Sequence, residues 1–212
     1  MAQMKTPGVY IIEKNAFPNS VVEVATAIPA FIGHTQFARD GNKDLTGIPF
    51  RISSMAEFHS FFGFAPTLRF GIRPEDSESE DTTNDINVLF PDGSCQLTLP
   101  KTFYALYYNM LLFYANGGGP CYIVSVGDYE HDFKSIDFTN ALLALKKEQE
   151  PTLVVVPEAV YMEEGDCYKV QTAALMHCGN DMKNRFAILD VFNGYKDENG
   201  AVIKSFRENI GS

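Results

Sequence analysis

The chain has 212 residues, 45% of them hydrophobic, with 27 acidic against 17 basic side chains and a formal charge of −10. Length and composition provide for one or two domains with a real core, while the acidic balance, with no Lys/Arg cluster, excludes the basic stripe that nucleic-acid binding requires. The amino terminus has no basic stretch leading into a long apolar one, and no window approaches the ~20 apolar residues of a membrane span, so a soluble protein made in the cytoplasm is expected, without membrane insertion.

Residues 9–13 and 20–27 are rich in β-branched and aromatic side chains, with turn signals at Asn15 and Pro18-Asn19 between them. That composition predicts two strands. The first follows Pro7-Gly8 and reads either as a mobile arm or as a core strand. Residues 30–33 form a third short apolar strand. Ser54-Met55-Ala56-Glu57 fits a capping box, which opens a short helix toward Phe62. From residue 64 to residue 94 the periodicity decays, and Glu75, Asp76, Glu78, Glu80, Asp81 and Asp85 fall in a stretch with no basic residue between Arg73 and Lys101. A calcium loop would use such carboxylates, but the EF-hand spacing is missing, and a solvated surface insertion is the expected form.

After Pro100 the signals become regular. Phe103, Leu106, Tyr107, Met110, Leu111 and Tyr114 recur at helical spacing, forming a stripe expected to face the core, with Asn116-Gly117 as the stop. Residues 121–126 predict a strand, and Asp137 is expected to cap a helix carrying Phe138, Ala141, Leu142 and Leu145. Residues 153–156 are an unbroken apolar run, as expected of a parallel strand covered on both faces. A helix over residues 165–178, stopped by Gly179-Asn180, leads to a further buried strand over residues 186–191. Strand, helix, strand, helix, strand predicts an α/β fold, an open and mainly parallel sheet with helices on both faces. An extended amino-terminal arm and a short β-rich segment precede it.

The run Asn116-Gly117-Gly118-Gly119-Pro120 lies after a helix and before a strand. A phosphate-cradling loop needs the opposite order, so that free N–H groups at a helix N-terminus face the anion. Here carbonyls and the negative end of the helix dipole would repel phosphate, and Pro120 removes a donor. The run is therefore a structural turn.

Few side chains suggest chemistry. The four cysteines, Cys95, Cys121, Cys167 and Cys178, contain no CxxC pair and are expected as free, mostly buried thiols, with no metal site. His34, His59, His131 and His177 stand beside no recognisable nucleophile motif, and His177, in a last helical turn, is accounted for by the dipole. Glu163, Glu164 and Asp166 near a helix start have the same explanation. In a parallel sheet the carboxyl ends of the strands are where ligands bind, so Pro157-Glu158, Asp190 and Asn193-Gly194 are the positions for an enzyme or a ligand-binding domain.

Five segments, in order, resemble contractile tail sheath proteins, the family that forms the contracting outer tube of phage tails, tailocins and related injection systems. They are Lys5-Thr6-Pro7-Gly8-Val9-Tyr10-Ile11-Ile12-Glu13, the apolar segment from Val24 to Thr35, the stretch from Ile52 to Gly63, the run from Phe113 to Val126, and Phe206-Arg207-Glu208-Asn209-Ile210-Gly211. The last is similar to the junction that in the family leads into a conserved C-terminal domain, so the resemblance covers nearly all of this chain but the front part of a sheath subunit.

The resemblance implies a structural subunit, not an enzyme, with no cofactor. It would polymerise around an inner tube and contract to drive the tube through a target envelope. Its partners would be other copies of itself, the inner tube protein, and the baseplate and tail terminator, with no nucleic acid. The implied setting is a phage tail or a released phage tail-like particle, assembled in the cytoplasm. Val9, Tyr10, Ile11 and Ile12 match the arm that adds a strand to a neighbouring subunit. The implied division is residues 1–19 as the arm, 20–63 as the start of the core, 64–99 as the acidic insertion and 100–212 as the α/β core. A small α/β enzyme or ligand-binding domain is the alternative, as is a baseplate or terminator protein with a sheath-like domain.

Overall fold

The computed structural model describes residues 27–68, 70–74, 85–90, 93–98, 102–196 and 200–210. In chain order the elements begin with β1 (Pro29–Gly33), a small hairpin of β2 (Arg39–Asp40) and β3 (Lys43–Asp44), β4 (Phe50–Ile52) and α1 (Met55–Phe62). Three strands follow, β5 (Gly71–Pro74), β6 (Asp85–Phe90) and β7 (Gly93–Thr98). The remainder alternates: α2 (Leu106–Ala115), β8 (Cys121–Ser125), α3 (Ser135–Leu145), β9 (Leu153–Val155), α4 (Glu164–Met176), β10 (Phe186–Ile188) and α5 (Ala201–Ile210).

The protein is an α/β fold built on a five-stranded sheet in the order β10-β9-β1-β8-β4. All neighbours are parallel except β4, which runs antiparallel to β8. Side-chain alternation along the central strands supplies both faces. Ala30, Ile32, Tyr122, Val124 and Val154 join Phe138, Ala141, Leu142 and Leu145 of α3 and Cys167, Val170 and Ala174 of α4 in one buried cluster. Phe31, Cys121, Ile123 and Ile52 join Phe58 and Phe62 of α1 and Leu106 and Met110 of α2 in the other.

Local signals account for several boundaries. The Ser54 hydroxyl accepts from the Glu57 N–H at 3.2 Å, while the Glu57 carboxylate accepts from the Ser53 N–H at 2.6 Å, one residue earlier than a standard capping box places it. The end of α2 is a complete Schellman motif: Gly117 N–H donates to Tyr114 C=O at 3.1 Å and Gly118 N–H to Phe113 C=O at 2.9 Å. Gly117 has φ 82°, and a Cβ on Gly118 would stand 2.5 Å from the Phe113 ring, so each glycine has its own requirement.

Within residues 64–99, expected as an acidic surface insertion, an antiparallel sheet forms in the order β5-β7-β6, three strands that the sequence pattern does not announce. Four expectations need correction. Asp137 lies within the first turn of α3; the N-cap is Lys134, which makes no side-chain cap. Leu111, assigned to the core stripe of α2, is 48% exposed, because α2 buries chiefly Leu106 and Met110. Gly179-Asn180 does not stop the helix after α4, which continues through a π turn, His177–Met182, and ends at Lys183 in the left-handed region, φ 59°. Finally, β10 is short and its Phe186 and Ile188 are exposed, because no helix among the described residues covers that end of one sheet face. The predicted strand at residues 9–13 lies outside the described residues, as does that at residues 20–27 except for Ala27, which has φ 67° and is not in a strand.

Candidate functional site

From β1 the chain proceeds to β8 on one side and later returns to β9 on the other, so the boundary of β1 and β9 is where the winding changes direction. Open α/β sheets bind ligands outside the strand carboxyl ends at such a point. In this protein the position is occupied by Glu158, fully buried just after β9. Its carboxylate accepts from His34 N–H at 2.9 Å, from His34 Nδ1 at 2.8 Å and from Leu106 N–H, the first residue of α2, at 3.2 Å. An internal carboxylate thus sits at a helix N-terminus where an external anion would otherwise be favoured. A Cβ at Gly33 would lie 2.9 Å from Leu106 Cβ and 3.1 Å from Glu158 Cδ, so the backbone approaches too closely to admit a side chain. Tyr104, Phe133 and Phe138 surround the His34 ring with centroids 5.3, 5.0 and 5.7 Å away.

The other strand-end positions do not converge on Glu158. Asp190 is exposed, its carbonyl accepting from Gln171 Nε2 at 2.7 Å. Asn193 has φ 53°, and Gly194 opens a 3₁₀ turn by donating to Val191 C=O. Asp166 in the first turn of α4 is bound by Lys169 and then Ser135, interactions that hold its carboxyl below the usual range. Beyond β1 and β8 a cleft of about 380 Å³ is lined by Thr46, Ser125, Asp128, His131, Asp132 and Lys134, among others. In its wall the Ser125 and Thr35 hydroxyls bond to each other at 2.6 Å. Cys121, Cys167 and Cys178 are buried free thiols pushed up by burial, the first to about 11 and the second to about 12. Among the described residues no group of His, Cys, Asp or Glu is placed to hold a metal ion, and no helix is long and apolar enough to cross a membrane.

His177 departs from its sequence-level explanation. Its ring is buried, and Arg185 Nη1 lies 3.1 Å from its Nε2. A guanidinium only donates, so Nε2 accepts and the ring proton sits on Nδ1, which has no partner. Burial, then Arg185, lowers the imidazole to about 4, keeping it neutral rather than a cation on the helix dipole. Arg185, itself buried, also donates to Leu145 C=O at 3.4 Å and Glu148 C=O at 2.7 Å, closing the carbonyl end of α3. Nothing in the apolar periodicity marks this pair; the one sequence signal is an arginine directly before an apolar strand.

The remaining feature is a bare sheet face. In register, Phe31 aligns with Val155 and Val155 with Ile188, while Leu153 aligns with Phe186. On that face α1 and α2 cover β4, β8 and β1, but Phe186 is 77% and Ile188 49% exposed. Two strands away, at β1, a shallow groove of about 360 Å³ runs between Phe31 and the Asn109, Leu112, Phe113 and Asn116 side of α2. Of the proposed functional residues, Asn116 to Pro120 form the turn between α2 and β8, whereas Val9, Tyr10, Ile11 and Ile12 lie outside the described residues. No protein-family model matches the chain, and no curated protein matches it.

Proposed function

We propose that this protein is a structural subunit of a contractile sheath, working by assembly with copies of itself around an inner tube and by a change in their packing. The observation that carries this reading is the bare apolar face at β9 and β10, where Phe186 and Ile188 stand open at one end of an otherwise covered sheet. Contiguous apolar surface of that kind marks interaction sites. The ordered resemblance of five segments supplies the family, and the Glu158 carboxylate, already seated in the crevice where α/β proteins take ligands, favours a structural role for those residues. Sheath copies, the tube protein, the baseplate and the terminator are the proposed partners. A phage tail or phage tail-like particle is the proposed setting.

The test is immunogold electron microscopy of sedimented particles from the source culture, with antibody raised against this chain. Label along the length of striated tubes is the expected result. Label confined to a ring at one end would replace the proposal with a baseplate or terminator role. Recovery of the chain only in the soluble fraction would overturn it.

A further inference from the structure

The buried contact between His177 and Arg185 joins three parts of the fold. His177 opens the π turn after α4, Arg185 directly precedes β10, and the carbonyls that Arg185 holds belong to Leu145, the last residue of α3, and Glu148. The contact depends on an unprotonated Nε2, since a proton there would set two donors, both positively charged, 3.1 Å apart in a site closed to water. The groups facing the imidazole are few. Arg185 comes from the β10 side, Asp181 from its own π turn and Lys146 from the end of α3, while the buried Cys178 of the same turn stands near Arg185. Lys146 is already paired with Asp181 at 2.7 Å, so that carboxylate is shared and not free to neutralise a new charge on His177.

We propose that His177 and Arg185 form a proton-operated catch: a neutral His177 holds Arg185 across the end of α3, and protonation of His177 expels it, loosening the π turn and β10 while the opposite face of the sheet stays packed. Two features place the loosening there. Nδ1 of His177 is a buried donor without a partner, so the closed form already carries an unsatisfied group that opening exposes to water. Lys183, at the end of the same turn, has φ 59°, a left-handed conformation that a non-glycine residue leaves readily once its surroundings relax. The direction of the titration agrees, because burial and Arg185 both oppose the charged imidazole.

Cys178 reports on this directly. It is buried in the π turn, whereas Cys121 is buried in the cluster on the other sheet face and serves as an internal reference. The whole protein is treated with 4,4′-dithiodipyridine, a probe that modifies thiols at acid pH, and modification at each cysteine is followed by peptide mass spectrometry. Between about pH 7 and about pH 5 the rate at Cys178 relative to Cys121 is expected to rise about twentyfold in the wild type. In His177→Gln, whose amide oxygen accepts from Arg185 without titrating, the ratio is expected to stay flat. A flat ratio in the wild type, an equal rise at Cys121, or an undiminished rise in His177→Gln overturns the proposal. The wild-type ratio decides the matter by itself should the variant fail to fold.

Discussion

At Gly33 a hydrogen stands where any other residue places a carbon, and that carbon would meet Leu106 Cβ at 2.9 Å and the Glu158 carboxyl at 3.1 Å. Neither neighbour is the free end of a flexible chain, since Glu158 is fixed by three donors. Gly33→Ala is therefore expected to lower stability by about 1–3 kcal/mol, measured by urea denaturation. The companion prediction concerns pH. His177 titrates near 6.5 when unfolded and is lowered to about 4 in the fold, so the unfolded chain takes up the proton first as the medium acidifies. Above pH 6.5 the group has no effect; between there and about 4 stability falls with pH, and below about 4 the loss, on the order of 3 kcal/mol, is complete. The acid-induced drop in urea midpoint should thus be smaller in His177→Gln than in the wild type, while losses from carboxylates are common to both.

Among the elements, the two helix ends with opposite solutions are instructive. Asn116 and Gly117 end α2 with a Schellman motif that the glycine run announces in advance. After α4 the glycine at 179 is bypassed, and the backbone turns at Lys183 instead, where Lys183 N–H donates to Cys178 C=O at 2.8 Å. Packing overrides the local stop because continuing the turn seats His177 and Cys178 in the interior. A lysine in a left-handed conformation remains costly, so Lys183→Gly is expected to raise stability by about 0.5–1 kcal/mol, read from the same denaturation curves. A similar override explains α3, where Asp137 has a favourable place in the first turn but Lys134 occupies the cap position.

For the whole molecule, the question is what covers β9 and β10. Four apolar positions in two registered rows form this face, and α1 and α2 do not reach its far edge. If the face serves assembly, Phe186→Asp combined with Ile188→Asp is expected to leave monomer stability within about 1 kcal/mol of wild type, because both side chains are exposed. Incorporation into sedimenting particles is expected to be abolished. A doubly substituted protein that still sediments with particles would separate this face from assembly. The net charge of −10 is compatible with such a surface, since like-charged copies of the chain would repel one another until specific contacts form.

Much of the chain was legible from pattern alone. Apolar runs at residues 30–33, 121–124 and 153–155 coincide with parallel strands of the sheet, and the residues of α3 assigned to the core, Phe138, Ala141, Leu142 and Leu145, are all buried. Those features depend on periodicity and turn chemistry, which are local and therefore written in neighbouring residues. The strand order was not, because β1 enters the sheet between β8 and β9 from more than eighty positions away in sequence. For the same reason the sequence named Glu158 but not its partners: His34 lies 124 residues away and Leu106 52. Neutral His177 and exposed β10 belong here too, since burial by distant elements, or its absence, sets both charge state and exposure. The sequence by itself determined the elements with a strong local pattern, β1, α1, α2, β8, α3, β9 and α4, whereas β2 to β7 and α5 carry no such pattern; only the tertiary structure decided which carboxylate fills the crevice, which histidine stays uncharged and which sheet face is left open.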